Sequence, residues 1–366
     1  MIIHQFRPIT GGAELQAERL SGKLAELGHS VEVLTRLWDD SAPEEVINGV
    51  KVIRVPFTLA YLGVGKQVLE TFQYLIEHRS KYDIFHAHQG FGHAMVAVIV
   101  ARCFGKRSII KMACAGDYGD LSVLSSLSGG KNALSILRKA DIIIAVSREV
   151  EAELIQNGFS PDQVRLIPNG VDTTFFDRKE QVSVREKFRF IFIGRRHPQK
   201  GIDIALQALV QLKDQGMSEK IEMKLYGRDS EGHDYRRVAD ELGISDLVEF
   251  LPFSDDIYNV YQNASGFILP SRGEGLSNSL LEAMSMRLPV IATRVSGTVD
   301  VIENELDGIL ISPDAPEELA CAMMKLMNDQ ELAVRLGRNA REKVCQKFSL
   351  DVISRKYSEL YHELYS

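Results

Sequence analysis

Short apolar runs recur along the chain, each followed by a turn-forming residue and then by a stretch with helical spacing. In the first half they fall at residues 2–6, 30–35, 50–55, 83–88, 108–112, 141–147 and 164–168. In the second half they fall at 190–193, 221–226, 248–253, 267–269, 290–292 and 308–312. Runs this short, apolar throughout and bounded by Gly, Pro or Asn, predict strands buried on both faces of parallel sheets. Between them, Ala13, Ala17, Leu20, Leu24 and Leu27 form one buried helical stripe that Gly28 ends as a C-cap. Val64, Val68, Leu69, Phe72, Leu75 and Ile76 form another, which suits either core or a surface for a lipid-linked acceptor. Residues 148–157 and 316–366 also read as helical. The Gly- and Ser-rich stretch after Met112 reads as one long loop, a candidate lid over an acceptor. A charged linker at 177–187 separates two strand–helix series. The prediction is two α/β domains, 1–176 and 177–349, with the strand ends of each sheet available to a ligand.

Composition changes this picture little. At 366 residues, 45% hydrophobic and 25% charged, the chain is long enough for two cores and ordinary for a globular protein. Net charge is −7 with scattered Lys and Arg, which gives nucleic-acid binding no support. No apolar run is long enough to span a bilayer, and Cys103, Cys114, Cys321 and Cys345 are widely spaced. The expectation is a reduced, cytoplasmic compartment, with peripheral membrane association left open.

Candidate chemistry concentrates in residues 267–293. A polar loop, Ser271 to Gly275, lies between two apolar runs and carries Glu274, with a helix expected from Ser277 or Asn278. The first N–H groups of that helix suit a ligand oxygen. Glu282 follows inside the helix, and Ser279 with Glu282 also has capping-box spacing. Upstream, Arg195 and Lys200 flank a turn that ends at a helix N-terminus, an arrangement that can neutralise a diphosphate, although a surface salt bridge is the plain alternative. Gly11 and Gly12 precede the first long helix without a G-x-G-x-x-G pattern. His86, His88 and His93 raise zinc, but no Cys or carboxylate nearby completes a shell, and the expectation is no metal. Asp117, Tyr118 and Asp120 are either acceptor ligands or turn formers.

The segment PSRGEGLSNSLLEAM, with LPVIAT after it, resembles the Glu-x7-Glu block of glycosyltransferase family 4, retaining enzymes of GT-B fold that use nucleotide-diphosphate sugars. GGAE at residues 11–14, HAH at 86–88, IPNGVD at 167–172 and GRRHPQKG at 194–201 resemble the family's other blocks in the same order. The resemblance implies two Rossmann-like domains with parallel sheets facing a central cleft, the first completed by a last helix at about 350–366. It implies transfer of a hexose from a UDP-sugar such as UDP-glucose to a hydroxyl of a glycan or lipid-linked acceptor, in cell-surface polysaccharide or glycoconjugate synthesis. By the same resemblance Gly11, Gly12, Gly194, Arg195 and Lys200 approach the donor phosphates. Glu274 with the N–H groups of Gly275 and Leu276 would hold sugar hydroxyls, Ser277 would stand at the same helix start, Glu282 would hold the ribose, and His88 would face the transferred sugar. Departures occur at Arg228 and Asp229 in place of a glycine-containing turn, Pro252 and Arg287 where glycine is common, and Ser296 and Asp300 in the turn that follows. A GT-B-type nucleotide-sugar epimerase and a non-catalytic nucleotide-sugar-binding protein are the alternative classes.

Overall fold

The structure is a computed structural model describing residues 1–8, 11–38, 41–56, 63–126, 130–178, 186–230 and 232–365, with the backbone alone for 63–68. Its contacts divide the chain into two compact units, Met1–Gly170 with Leu350–Ser366, and Val171–Ser349. Residues 171–176, expected with the first domain, pack with the second unit. The Val171 N–H donates to the Phe348 carbonyl, and the Phe176 ring meets Tyr261 edge-on. The expected linker lies largely outside the described residues.

The strands of the first unit are β1 (Glu32–Arg36), β2 (Glu44–Ile47), β3 (Val50–Val55), β4 (Ile84–His88), β5 (Arg107–Met112), β6 (Ile142–Ala145) and β7 (Val164–Leu166). They pair as β1-β3-β2 and β4-β5-β6-β7. Ile2 joins the two groups, bridging Leu34 on one side and Ala87 on the other. The strand expected over 2–6 is therefore a short link. Beyond Ile3 the Phe6 side chain turns into a core with Ala17, Val33 and Val52, and Pro8 has no N–H to extend a ladder. The strand β2, at a position where none was expected, pairs antiparallel with β3 at the edge of the otherwise parallel set. Asn48 and Gly49 both have positive φ, 50° and 77°, so this tight turn matches a twisted hairpin.

Helices Gly12–Glu26 and Leu350–Tyr365 cover one face of the β4–β7 sheet. There Leu20, Leu24, Ile109, Ile142, Ile144, Ile353 and Tyr357 form a continuous core. Each large apolar side chain so buried stabilises the fold by about 1.5–3 kcal/mol relative to exposure, which is what holds the C-terminal helix to strands made much earlier in the chain. The stretch expected as one loop after Met112 is instead a short turn at Gly116–Tyr118 and helices at Asp120–Ser126 and Gly130–Leu137. The Asp120 carboxylate accepts the backbone N–H groups of Ala113 and Cys114 and so fixes the exit from β5.

The second unit contains β8 (Phe188–Ile193), β9 (Ile221–Tyr226), β10 (Val248–Leu251), β11 (Gly266–Leu269), β12 (Val290–Thr293) and β13 (Ile309–Ile311). All pairings are parallel, in the order β10-β9-β8-β11-β12-β13. The order reverses between β8 and β11, so the loops leaving these two strands diverge to opposite faces and open a crevice at their C-terminal ends. These are the loops that carry Arg195, Lys200 and Glu274.

Candidate active site

The geometry starts from one glycine. Gly201 has φ +64°, and a Cβ there would lie 1.9 Å from the Pro270 carbonyl oxygen, so only glycine lets the turn after β8 touch the loop after β11. That approach brings Lys200 Nζ to 2.6 Å from Glu274 Oε1. Ser271 Oγ donates to the same carboxylate oxygen at 2.7 Å. Glu274 is buried and the Lys200 side chain nearly so, at 6% and 17% exposure. Their charges therefore meet with little screening, which strengthens the contact.

Arg272 locks the two loops together. Its guanidinium takes Asp203 in a two-pronged contact at 3.0 and 2.6 Å, Asp314 at 2.6 Å and the Pro198 carbonyl at 2.7 Å. The hydrogen bonds to Asp203 hold its pKa above the usual arginine value. Its backbone N–H donates to the Gln199 carbonyl, and Gln199 Nε2 returns a bond to the Gly273 carbonyl at 2.9 Å. Neither Arg272 nor Gln199 was expected from the sequence, because each acts through partners distant in the chain.

The helix Asn278–Ser285 begins where expected, with Ser277 as N-cap: its hydroxyl accepts the Leu280 N–H. The capping-box alternative for Ser279 and Glu282 is not what is observed. Glu282 is buried and accepts a 2.8 Å hydrogen bond from the hydroxyl of fully buried Tyr261. A tyrosine in the preceding helix, Ile257–Gln262, carries no sequence signal for this role. Gly275 and Leu276 lie in the buried loop before Ser277. Gly297, at φ +48°, leaves room for the Gly275 carbonyl, which a Cβ there would approach to 1.9 Å.

Two adjacent arginines follow β8 and do different things. Arg196 is buried and structural, bound to Asp229 at 2.6 Å and to the carbonyls of Leu225 and Leu251. Arg236 also binds Asp229, so the residue replacing the family's usual turn glycine joins buried Arg196 to an exposed arginine. Hydrogen bonding from Arg196, then from Arg236, lowers the Asp229 pKa. Arg195 is exposed, and its guanidinium makes no ion pair among the described residues. Gly194 sits at the root of the loop, its N–H on the Tyr226 carbonyl. Arg287, at a position where glycine is common, does adopt φ +56° and binds Asp177.

In the first unit, Gly11 is the N-cap of Gly12–Glu26; residues 9 and 10 before it lie outside the described residues. His86 and His88 stack at 4.7 Å on the face beneath the C-terminal helix. His86 Nδ1 meets the Tyr361 hydroxyl at 2.6 Å, and His93 Nε2 donates to the His88 carbonyl. His88 is 2% exposed, and its Nε2 has no hydrogen-bond partner among the described residues. It ends β4, as expected, with its ring buried. Lys111, its register partner on β5, is also buried and lies 5.7 Å from the Tyr357 ring. Burial pushes Lys111 down to about 7, and burial, then His86 and Lys111, push His88 well below its ordinary value. Asp117 and Tyr118 are exposed on the turn after β5. Among the described residues no group of three or more His, Cys, Asp or Glu is placed to hold a metal ion, and no helix is long and apolar enough to cross a membrane.

The fold is that of the GT-B glycosyltransferases. Sucrose-phosphate synthase from Thermosynechococcus elongatus superposes with a TM-score of 0.82 at 22% identity, over 100% of this chain and 99% of that one. Anabaena HepE, solved in complex with UDP, superposes with a TM-score of 0.80 at 20% identity, over 99% and 98%. The family model described as Glycosyltransferase Family 4 matches residues 10–175, and that described as Glycosyl transferases group 1 matches 173–343. The chain belongs to the group 1, family 4 type of glycosyltransferase. It is also similar to the N-acetyl-alpha-D-glucosaminyl L-malate synthase of Bacillus anthracis, at 24% identity over 98% of this chain and 95% of that protein.

Proposed function

We propose that this glycosyltransferase moves a hexose from a UDP-sugar, with retention at the anomeric carbon, to a hydroxyl of a glycan or lipid-linked acceptor. The observation that carries the reading is the buried contact of Lys200 with Glu274 at the mouth of the β8–β11 crevice. It sets a cation for a diphosphate beside a carboxylate for sugar hydroxyls, in the half of the chain that would take the donor. Complexes of HepE with UDP support the choice of nucleotide. Lys200 and exposed Arg195 would take the diphosphate oxygens and stabilise the charge that grows as the leaving group departs, a role that asks no metal of the site. Glu274 and the N–H groups of Gly275 and Leu276 would hold the sugar, and Glu282, oriented by Tyr261, the ribose. The bond from the anomeric carbon to the β-phosphate oxygen breaks as the acceptor oxygen bonds on the same face. The departing phosphate oxygen receives the acceptor's proton. His88, at the end of β4, would contact the transferred sugar. The first unit would take the acceptor, with Asp117 and Tyr118 at its exposed turn. The four cysteines are free, in keeping with a reduced, cytoplasmic setting.

The test is UDP release from a panel of UDP-hexoses with GDP- and ADP-sugars alongside, in the presence of a chelator. Release from one UDP-sugar is expected, unaffected by the chelator. Lys200→Met should lower kcat by about 10²–10³-fold; near-normal turnover in that variant would remove Lys200 from the chemistry.

A further inference from the structure

Lys200 and Glu274 are each other's partners, 2.6 Å apart, and Ser271 holds the same carboxylate oxygen. We infer that Glu274 competes with the nucleotide diphosphate for Lys200, so that the site selects the intact nucleotide sugar over the free nucleotide and helps to expel the latter after transfer. The inference rests on the donor reading given above.

The argument is one of partners gained and lost. An arriving diphosphate needs the Lys200 ammonium, and drawing it away strips a buried carboxylate of its cation. If the diphosphate carries a sugar, hydroxyl groups reach Glu274 and donate the hydrogen bonds that the ammonium withdrew. If it carries none, Glu274 keeps only Ser271 and faces added negative charge. The exchange is balanced for the donor and unbalanced for the free nucleotide. Nothing in the surroundings lets the carboxylate escape this choice. Arg272 ties its loop to the Lys200 turn through Asp203, the Pro198 carbonyl and the Gln199 backbone, and Gly201 fixes the approach of the two loops. Once the sugar has moved to the acceptor, Glu274 can recapture Lys200 and loosen the hold on the diphosphate.

The experiment is calorimetric titration of UDP into wild type, Glu274→Gln, Lys200→Met and the double variant, with thermal melts confirming that each is folded. Glu274→Gln should bind UDP about tenfold more tightly than wild type. In the Lys200→Met background the same change should alter affinity by less than about twofold, because the contested cation is gone. Glu274→Ala reads the same contest should the glutamine keep a neutral hold on Lys200. Unchanged or weaker binding in both Glu274 variants, with wild type binding UDP and Lys200→Met weakened, would overturn the inference and leave the donor reading in place. Equal tightening with and without Lys200 would also overturn it, pointing to a general field in place of a contest. Absence of UDP binding by the wild type would overturn the donor reading and the inference with it.

Discussion

Two clusters of buried polar groups, one in each unit, are handled in opposite ways. At the ends of β8 and β11 buried and half-buried cations meet acids: Lys200 with Glu274, Arg196 with Asp229, and Arg272 with Asp203 and Asp314. At the ends of β4 and β5, His86, His88, Lys111 and Tyr357 are buried together with no carboxylate among them. Among the described residues, His86 Nε2, His88 Nε2 and the Tyr357 hydroxyl find no hydrogen-bond partner there. A paired set keeps its charges and its geometry in water-poor surroundings. An unpaired set gives up its charges instead, which is why Lys111 and the two histidines are all shifted towards neutrality. One region is built to hold charge, the other to avoid it.

The largest expected effect breaks the unpaired set. Burial lowers the Lys111 pKa from its ordinary 10.5 to about 7, so between these values the unfolded chain binds more protons and wild-type stability rises with pH. Lys111→Met removes that dependence. Denaturant unfolding at a series of pH values should show the variant more stable near pH 7, with the difference shrinking by up to about 1.4 kcal/mol per pH unit as pH rises towards 10.5. His86, His88, the Met1 amine, Tyr357 and Tyr361 face the same space, and the histidines add acid sensitivity common to both proteins. A constant difference across this range would mean that Lys111 keeps its charge. The next effect breaks the paired set: Arg272→Ala should cost about 2 kcal/mol of stability and raise the donor KM more than it lowers kcat, read by unfolding and steady-state kinetics. An unchanged KM would confine Arg272 to structure. The smallest effect sharpens the comparison away from both clusters. Arg287→Gly relieves a left-handed backbone of about 1 kcal/mol and forfeits the contact with Asp177, so the melting temperature should hardly move.

Sequence reading reached the paired region well and the unpaired one poorly, for physical reasons. Gly201, Lys200, Glu274 and the Ser277 start follow local rules of turns, caps and apolar strands, so their pattern survives in one dimension. Tyr261 on Glu282, Arg272 on Asp203 and Arg196 on Asp229 depend on residues brought together by the sheet order, which no local signal encodes. His88 lies at the end of β4 beside His86, as expected, but alternation along β4 gives its face and not what covers it. The covering helix starts at Leu350, far along the chain. The hairpin at Asn48–Gly49 is different, since Asn-Gly is a local turn signal that the sequence carries.

That covering helix also bears on how the protein is made. Synthesis runs from N- to C-terminus, yet the face of β4 and β5 stays open until Ile353, Tyr357 and Tyr361 leave the ribosome. The continuous unit Val171–Ser349 can mature on the nascent chain, while the earlier-made half waits for the last helix to seal it. Chains terminated early would therefore display an unsealed apolar sheet, and cellular quality control would meet the first-made half as the unfinished one.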